Sequence, residues 1–433
     1  MEKFIAQLVS SESGFDKSLR KLVSDRSPGK NAEVIKVVDE IIESVRSEGD
    51  SALLRYTNKF DHRQLISSQQ LVVSVAGEKK KLAGPLLDSL ESSFTRITAF
   101  HQKQKDYSWE FTDDSGIVLG QKVTPLDSVG IYVPGGTASY PSSVFMNAIP
   151  AMVAGVSEIV MVVPSPGGVV SEVVLGAAEM CGIKTVFSIG GAQAVAALAF
   201  GTETVPKVDK IVGPGNMFVA EAKRKLYGTV GVDMVAGPSE IVILCDGTTR
   251  ADWIAMDLMA QAEHDENAQA ILITTEKSFL QAVEKELSVL VKEQPRSEII
   301  LKSLGNNGAL IQACDLDEAI EIVNYIAPEH LELSMQSPRE YLPKIKHAGA
   351  IFLGKYTPES FGDYCAGPNH VLPTSGSARF ASPLGVYDFQ KRTSIIECNA
   401  ENATEMGAVA FNIANAEGLT AHARSALMRT NSK

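Results

Sequence analysis

Apolar positions in the first quarter of the chain recur at helical spacing. Between residues 34 and 45 they fall three or four positions apart, which predicts a long amphipathic helix. Asn31 is the expected N-cap of this helix, and the Gly49-Asp50 pair is its expected end. A second, charged helical stretch is predicted over residues 78–105. We therefore expect the N-terminal part of the chain to be helical.

From Asp127 onward, short apolar runs rich in Val and Ile alternate with helical segments. Eight strands are predicted, over SVGIYV, EIVMVV, TVFSI, DKIVG, EIVILCD, AILITT, GALIQ and GAIFLG. Helices are predicted between them, over residues 142–154, 171–181, 251–266, 278–293 and 316–326. This alternation is typical of parallel sheets. It divides the chain into two α/β units, roughly 130–240 and 240–384, followed by the strand TSIIEC and two helices.

The composition narrows the class of protein. Of the 433 residues, 45% are hydrophobic and 21% charged, which is typical of a globular chain. The formal net charge of −12 repels phosphate backbones, so no nucleic-acid partner is expected. No signal-peptide core and no membrane-length apolar run occurs, and the five cysteines are scattered singly. We therefore expect a cytoplasmic protein that does not bind membranes.

Three junctions between a predicted strand and a predicted helix are rich in glycine. They are Pro134-Gly135-Gly136, Gly190-Gly191-Ala192 and Gly213-Pro214-Gly215-Asn216. Each would present the amides of a helix N-terminus to a phosphate. The third is the nearest match to the GxGxxG dinucleotide fingerprint, but it lacks the last glycine. Tight turns between strand and helix explain the glycines equally well. The three junctions are therefore compatible with a bound nucleotide but do not require one.

Four of the seven histidines lie in polar, glycine-containing or acid-rich contexts: His264, His330, His370 and His422. Gln261 and His264 are three positions apart and share one helix face, where an amide oxygen and an imidazole can supply two zinc ligands. Asp363 and Glu417 are carboxylates that can complete such a shell. A surface histidine without a metal is nevertheless the commoner meaning of this segment taken alone.

A second acid–histidine pair, Glu329-His330, follows Pro328 at the predicted boundary between a helix and a loop. A histidine beside a carboxylate is suited to general-base catalysis near neutral pH. The dipeptide is also common by chance. Cys365 is a candidate nucleophile, but an inert cysteine is the commoner case and no motif favours catalysis.

Long segments in every part of the chain resemble the histidinol dehydrogenase family. They are IYVPGGTASYPSSVFMNAIPA, SIGGAQAVAALAFGT, KIVGPGNMFVAEAKR, VDMVAGPSEIVILCD, MAQAEHDE, APEHLEL, ESFGDYCAGPNHVLPT, SGSARFASPLGVYDF and EGLTAHARSALMR. The resemblance implies an α/β fold with two Rossmann-like parallel-sheet domains, a helical N-terminal segment and a small C-terminal extension. The implied division is 1–25 for the helical segment, 26–131 plus 241–384 for the domain with the zinc and catalytic residues, 132–240 for the NAD-binding domain, and 385–433 for the extension.

The resemblance also implies an activity, the two-step oxidation of L-histidinol to L-histidine by NAD through L-histidinaldehyde. His330 would be the general base in both steps, and Glu329 would activate the water that hydrates the aldehyde. One zinc ion per subunit would orient the substrate, held by Gln261, His264, Asp363 and His422. Substrate contacts are implied for these ligands, for the catalytic pair, and for Ser239, His370 and Glu417. NAD contacts are implied for Tyr132, Gln193 and Asn216.

The resemblance further implies a homodimer in which the extension crosses over, so that Glu417 and His422 serve the partner's site. Of three alternatives to this function, the first is an enzyme of the same class and the other two belong to different classes. A related enzyme acting on another polyol, such as a sulfonated propanediol, should lack the residues that bind the imidazole and amine, yet His370, Glu417 and His422 are present. A zinc hydrolase with Glu329 as base would not need the three glycine junctions. A silent binding protein would not keep a complete set of site residues.

Overall fold

The structure is a computed structural model that describes residues 5–24, 32–135, 139–235 and 237–430. Its strands are β1 (Ala6–Val9), β2 (Val72–Val73), β3 (Trp109–Thr112), β4 (Val118–Pro125), β5 (Ser128–Tyr132), β6 (Glu158–Val162), β7 (Thr185–Phe187), β8 (Lys210–Val212), β9 (Gly231–Val232), β10 (Glu240–Cys245), β11 (Gln269–Thr274), β12 (Ala309–Gln312), β13 (His330–Ser334), β14 (Ala350–Leu353) and β15 (Gln390–Glu397). Its helices are α1 (Phe15–Ser24), α2 (Ala32–Glu48), α3 (Asp50–Phe60), α4 (Gly84–Gln102), α5 (Pro141–Ala154), α6 (Glu172–Met180), α7 (Gly191–Phe200), α8 (Met217–Leu226), α9 (Ala251–Ala262), α10 (Lys277–Leu290), α11 (Ser297–Asn307), α12 (Leu316–Ile326), α13 (Pro338–Tyr341), α14 (Glu359–Tyr364), α15 (Ala400–Ala416) and α16 (Thr420–Leu427). The predicted N-cap Asn31 and the junction residue Gly136 lie outside the described residues.

The first sheet has six parallel strands in the order β1-β12-β11-β10-β13-β14. All six residues of β10 are buried, because helices cover both faces of the sheet. Ile241 and Ile243 pack against α9, α10 and α11, whereas Val242 and Leu244 pack against α12 on the opposite face. His330 pairs with Ile241, so it lies on the α9 face. The sheet therefore directs alternate residues of β13 toward α9.

The second sheet has the order β2-β7-β6-β5-β8-β9, and only β2 is antiparallel to its neighbour. The predicted helix α2 buries Val34, Val38 and Ile41 in the same cluster as the alanine-rich helix α7. Since β2 also pairs with β7, residues 32–73 lie with this sheet. The sequence placed them with the other domain. Periodicity had indicated the apolar stripe but not the surface that it covers.

A third, antiparallel sheet joins the C-terminal strand to the middle of the chain, in the order β15-β4-β3. Helices α15 and α16 follow, and Gly407 packs closely on the end of α16. Asn402 of α15 donates to the carbonyl of Ser115 at 2.7 Å, which ties the helix pair to the turn between β3 and β4. The predicted C-terminal strand and two helices are confirmed, whereas β3 and β4 were not predicted.

The eight predicted strands of the α/β units are all present, and the α/β class with two largely parallel sheets is confirmed. The N-terminal segment, expected to be helical, also contains β1, which forms the edge of the first sheet beside β12. Asp315 caps α12 by accepting from the amide of Glu318 at 2.8 Å. Within the described ranges, no helix is both long and apolar enough to cross a membrane.

Candidate active site

The N-terminal edge of the first sheet collects most of the predicted catalytic and metal residues. Helix α9 follows β10 and returns along the sheet, so its last turn lies where β10 and β13 begin. That turn carries Gln261, which is fully buried, and β13 begins with His330. Helix α14 supplies Glu359 and Asp363 to the same place. Four elements distant in sequence thus meet at one edge.

His330 is the centre of this cluster and is only 4% exposed. Its Nδ1 lies 2.9 Å from the carbonyl oxygen of Glu240. A carbonyl can only accept, so Nδ1 carries the hydrogen and Nε2 of the neutral ring keeps its lone pair. Among the described residues Nε2 has no hydrogen-bond partner, and the nearest carboxylate oxygen, Oδ1 of Asp363, is 3.7 Å away. The arrangement leaves a buried, basic nitrogen free to take a proton.

Two buried glutamates flank the Nδ1 side of the ring. Oε2 of Glu329 accepts from the amide of Glu240 at 2.8 Å and lies 3.6 Å from Nδ1. Oε1 of Glu359 lies 3.3 Å from Nδ1. Burial raises the pKa of both glutamates to about 8. Burial also lowers the pKa of His330, but the carboxylates of Glu359, Glu329 and Asp363 outweigh it and raise that pKa well above its ordinary value.

Candidate metal ligands crowd the same cluster. His330, Glu359 and Asp363 each place one ligand atom within 4.8 Å of the others. With the Gln261 amide turned so that its nitrogen faces Glu359, which is the orientation that the neighbouring groups favour, it donates to both carboxylate oxygens, at 3.0 Å to Oε2. This orientation leaves the amide oxygen for another partner. His330 keeps the pKa of Asp363 low despite burial, so this carboxylate is ionised and suited to a cation. Of the predicted zinc ligands, Gln261 and Asp363 lie in this cluster.

Three of the other predicted ligands and substrate contacts, His264, His370 and Ser239, lie beside the cluster. Helix α9 ends at Ala262, so His264 lies in the following turn rather than in the helix, where its amide donates to the carbonyl of Gln261 at 3.2 Å. Nδ1 of His370 lies 3.1 Å from the carbonyl oxygen of Asp363. Ser239 precedes β10 directly, beside the backbone that holds His330. These three residues surround the cluster.

Glu417 and His422 lie apart from the cluster around His330. Both are exposed, at the end of α15 and in α16. In the part of the chain that the structure describes, no hydrogen bond or ion pair connects either residue to Gln261, His330 or Asp363. One copy of the chain therefore does not bring all the predicted residues together.

Three acids at the site were missed by sequence reasoning: the buried Glu332 and Glu359, and the half-buried Asp257. Glu332 is two positions after His330 on the strand, and Asp257 is one helical turn before Gln261, so both lie one step deeper on the same faces. Burial raises the pKa of Asp257 to about 6 and, together with the charge of Asp257, raises that of Glu332 well above its ordinary value. The i, i+4 spacing of Glu359 and Asp363 was the available signal for Glu359.

The three residues predicted to contact NAD lie at or after the carboxyl ends of strands of the second sheet: Tyr132 ends β5, Gln193 follows β7 and Asn216 follows β8. In this sheet β6 and β7 lie on one side of β5 and β8 on the other, which makes the β5–β8 boundary a switch point, the usual place of a nucleotide crevice. The hydroxyl of Tyr132 accepts from the amide of Gly191 at 3.0 Å. The buried amide oxygen of Gln193 has no partner among the described residues. Asn216 caps α8 by accepting from the amides of Phe218 and Val219.

A buried ion pair holds the turn that leads to Asn216. Gly213 has φ +109° and lies so close to the carbonyl of Tyr132 that a Cβ would collide with it. Asp233 accepts from the amide of Gly213 at 2.8 Å, and Lys223 donates to the carbonyl of Gly213 at 2.9 Å. Lys223 and Asp233 also pair with each other, with side chains 3% and 1% exposed. Both backbone groups of the glycine are thereby fixed.

Comparison with known proteins agrees with this geometry. The model of the family described as histidinol dehydrogenase matches residues 24–430. The chain is 56% identical over 428 residues to histidinol dehydrogenase of Hydrogenovibrio crunogenus, covering 98% of this chain and 99% of that one. It is also 56% identical over 418 residues to that of Neisseria meningitidis serogroup A, covering 96% and 97%.

The fold agrees as well. The crystal structure of histidinol dehydrogenase from Elizabethkingia anophelis superposes with a TM-score of 0.92 at 32% identity, covering 99% of this chain and 98% of that one. Sequence, fold and the acid–histidine cluster point the same way, and the chain belongs to the histidinol dehydrogenase family.

Proposed function

We propose that the protein oxidises L-histidinol to L-histidine in two NAD-dependent steps through L-histidinaldehyde. His330 carries the proposal. Its ring is buried, its Nδ1 is committed to the carbonyl of Glu240, and its Nε2 has no partner among the described residues. A nitrogen held in this way is a general base for an alcohol proton.

In the first step the alcohol proton moves to Nε2 of His330 while the carbon gives its hydride to NAD⁺. The products are the aldehyde, NADH and a protonated imidazole, which returns its proton to solvent before the next step. NAD supplies the hydride acceptor. Because His330 must be neutral to act, activity should rise with pH through the pKa of His330.

In the second step water adds to the aldehyde, and the resulting hydrate is oxidised. Glu329 is suited to take the proton from the attacking water, since burial raises the pKa of its carboxyl to about 8. The aldehyde oxygen takes that proton from Glu329, which completes the hydrate. The hydrate would then lose one proton to His330 and its hydride to a second NAD⁺, which gives the carboxylic acid. Oε2 of Glu329 lies 3.6 Å from Nδ1 of His330, so the two groups belong to one site.

We assign the metal of this site as zinc, with Gln261, His264 and Asp363 of one subunit and His422 of a second as ligands. An amide oxygen, a carboxylate and two imidazoles fit a borderline cation. The contact between Gln261 and Glu359 supports this assignment, because it fixes the amide nitrogen and leaves the oxygen free. When bound, zinc would orient the substrate through its imidazole and amine. Ser239, His370 and Glu417 would contact the substrate around it.

NAD would bind at the crevice between β5 and β8, against Tyr132, Gln193 and Asn216. The unpartnered amide oxygen of Gln193 and the capped N-terminus of α8 support this assignment. The first-sheet cluster and this crevice are on different sheets. The domain division of the sequence therefore stands as a proposal, with residues 32–102 and strand β5 moved to the NAD-binding unit.

The enzyme would act as a homodimer whose C-terminal extensions are exchanged. Met406, Val409 and Ile413 are 47%, 50% and 56% exposed and share one face of α15, which a second subunit would cover. The exchange would bring Glu417 and His422 to the partner's cluster. We place the dimer in the cytoplasm, as all five cysteines are free thiols.

A stoichiometric assay tests the proposal. Purified, zinc-loaded protein given L-histidinol and NAD⁺ should form two NADH for each L-histidine. One NADH per turnover with accumulating aldehyde would overturn the two-step assignment. No NADH with zinc restored would overturn the dehydrogenase assignment altogether. A sulfonated propanediol offered in parallel should give no NADH, and turnover of it in preference to L-histidinol would favour the alternative polyol enzyme.

A further inference from the structure

Asp61 lies at the carboxyl end of the second sheet, although it precedes the strand–helix units of this sheet in the chain. It follows α3 directly, and its carbonyl accepts from the amide of Gly167 at 3.0 Å, just beyond β6. The amide of Ser165 also faces its carboxylate and lowers its pKa against the larger effect of burial, which raises it. Asp61 therefore stands at the end of the strand that follows β5.

That position has a chemical meaning in dinucleotide-binding sheets. The pyrophosphate lies at the helix after the first strand, and the adenosine ribose extends toward the end of the second, where an acid usually accepts from its hydroxyls. Here β6 continues as Val163-Pro164-Ser165-Pro166, which contains no acid. Asp61 supplies one at this point from α3.

The Asp61 carboxylate is incompletely satisfied. The residue is 7% exposed, and its Oδ2 is buried without a hydrogen-bond partner among the described residues. An unpaired buried carboxylate oxygen is costly, and a donor that binds there removes the cost. The charge of Asp61 also contributes to the pKa of about 12 of Tyr132, after burial, so the carboxylate lies near this predicted NAD contact.

The neighbouring Arg63 is not free to accept a phosphate. Its Nη1 donates to the Oγ of Ser165 at 3.0 Å and to the carbonyl and Oγ of Ser188 at 2.9 and 3.0 Å. A guanidinium used in this way cannot turn to a 2′-phosphate without breaking these bonds. The charge of Asp61 would in addition repel such a phosphate.

We infer that Asp61 accepts a hydrogen bond from the adenosine ribose of NAD and makes the enzyme select NAD over its 2′-phosphorylated form. This inference rests on the proposed NAD site between β5 and β8. It adds a specificity-determining residue from the α3 segment to the contacts made by Tyr132, Gln193 and Asn216. The donor it requires is a ribose hydroxyl, not a cation.

The test compares NAD⁺ with its adenosine 2′-deoxy analogue and with NADP⁺. The unmutated enzyme should lose about tenfold in kcat/KM with the deoxy analogue. With NAD⁺, the kcat/KM of Asp61→Asn should be about tenfold below that of the unmutated enzyme. Replacing NAD⁺ by the deoxy analogue should lower the kcat/KM of this variant little further. The ratio of kcat/KM for NAD⁺ to that for NADP⁺ should fall by about tenfold or more. The KM for L-histidinol and the zinc content should stay unchanged.

Asp127→Asn is the matched control, since it removes the same charge from an exposed position at the opposite edge of the same sheet. It should leave both cofactor ratios unaltered. If Asp61→Asn does not fold, Asp61→Ser keeps an acceptor for the Ser165 amide without the charge and takes its place. Unchanged cofactor ratios in a folded Asp61 variant that still forms NADH would overturn this inference alone. Absence of NADH from the unmutated enzyme would instead overturn the proposed function.

Discussion

At the residue scale, the reactivity of His330 depends on groups that hold its ring rather than on the ring alone. The carbonyl of Glu240 fixes the tautomer, and the amide of the same residue binds Glu329. One backbone position thus orients both members of the proposed catalytic pair. Such fixed placement contributes to rate because the base needs no reorganisation when the substrate arrives.

Glu329→Gln separates the two oxidations. The amide can still accept from the amide of Glu240, so the position of His330 should be kept, but it cannot take a proton from water. With L-histidinaldehyde as substrate the rate should fall by about 100-fold. NADH formation in a single turnover from L-histidinol should fall much less. Rapid-mixing measurements of both substrates check this, and equal slowing of the two steps would contradict the role of Glu329.

Glu359→Gln changes the pH profile. Glu359 is the first of the carboxylates that raise the pKa of His330 against burial, so its removal lowers that pKa. Since the neutral ring is the active form, the acidic limb of kcat/KM should move to lower pH, by about one unit. The amide oxygen of the variant can still accept from Gln261. The profile is measured at saturating zinc.

Glu266→Gln is the control for this shift, because it removes an exposed carboxylate paired with Lys302 at 2.7 Å. Its profile should coincide with that of the unmutated enzyme. A limb that stays in place or moves to higher pH in Glu359→Gln would mean that the carboxylate does not set the protonation of His330.

At the scale of the elements, β13 shows why part of the site was not predictable. The sequence of β10, EIVILC, is apolar after its first residue, Glu240, and predicted a buried strand correctly. In β13 only Leu331 and Leu333 face the core around α12, while His330, Glu332 and Ser334 face the α9 side. The segment HLELS is therefore half polar, and the sequence placed His330 beside a loop instead of in a central strand.

The sequence identified several residues of the site by their chemistry, but it did not predict where the fold places them. Gln261, Asp363 and His330 were singled out by type and context, and the fold brings them together. The association of α2 with the second sheet could not be predicted, because an amphipathic stripe specifies burial but not a partner surface. Glu359 and Glu332 were missed for a similar reason, since isolated acids in a sequence are usually solvated.

Glu332 joins the two elements that carry the site. Its Oε1 accepts from the amide of Glu359 at 2.8 Å and so caps α14, whose own N-cap residue, Pro358, makes no side-chain cap. Glu332→Leu leaves that amide unsatisfied and should release α14. We expect the zinc dissociation constant to rise by about tenfold, because Asp363 loses its support. Zinc titration with a competing chelator measures this.

Glu332→Gln is the matched variant, because its amide oxygen can accept from Glu359 as the carboxylate does. The buried carboxyl of Glu332 has a pKa well above its ordinary value, so a neutral amide resembles its protonated form. Zinc affinity should be nearly that of the unmutated enzyme. An equal loss in both variants would show that the charge of Glu332, rather than its hydrogen bond, supports the site.

At the scale of the whole molecule, the cluster at β13 and the exposed residues of α16 belong to one site only if two chains share it. The extension packs its helices on each other and leaves Met406, Val409 and Ile413 exposed. Glu417 and His422 are exposed in the same region. An isologous dimer would bury this surface and complete both sites at once.

Co-expression of two defective chains tests this. If His330 and His422 of one site come from different subunits, a dimer of His330→Asn with His422→Ala has one site with both defects and one site with none. Random assortment at equal expression gives half mixed dimers, so about a quarter of the unmutated activity should return. If each site lies within one chain, every site keeps a defect and no activity returns.

The reverse pairing distinguishes the two cases again. Here a chain with both substitutions is expressed with the unmutated chain. About a quarter of the unmutated activity should remain if the sites are shared, and about half if each site lies within one chain. Mixing the two purified homodimers without subunit exchange should restore none, so activity there would point to contamination rather than to a shared site.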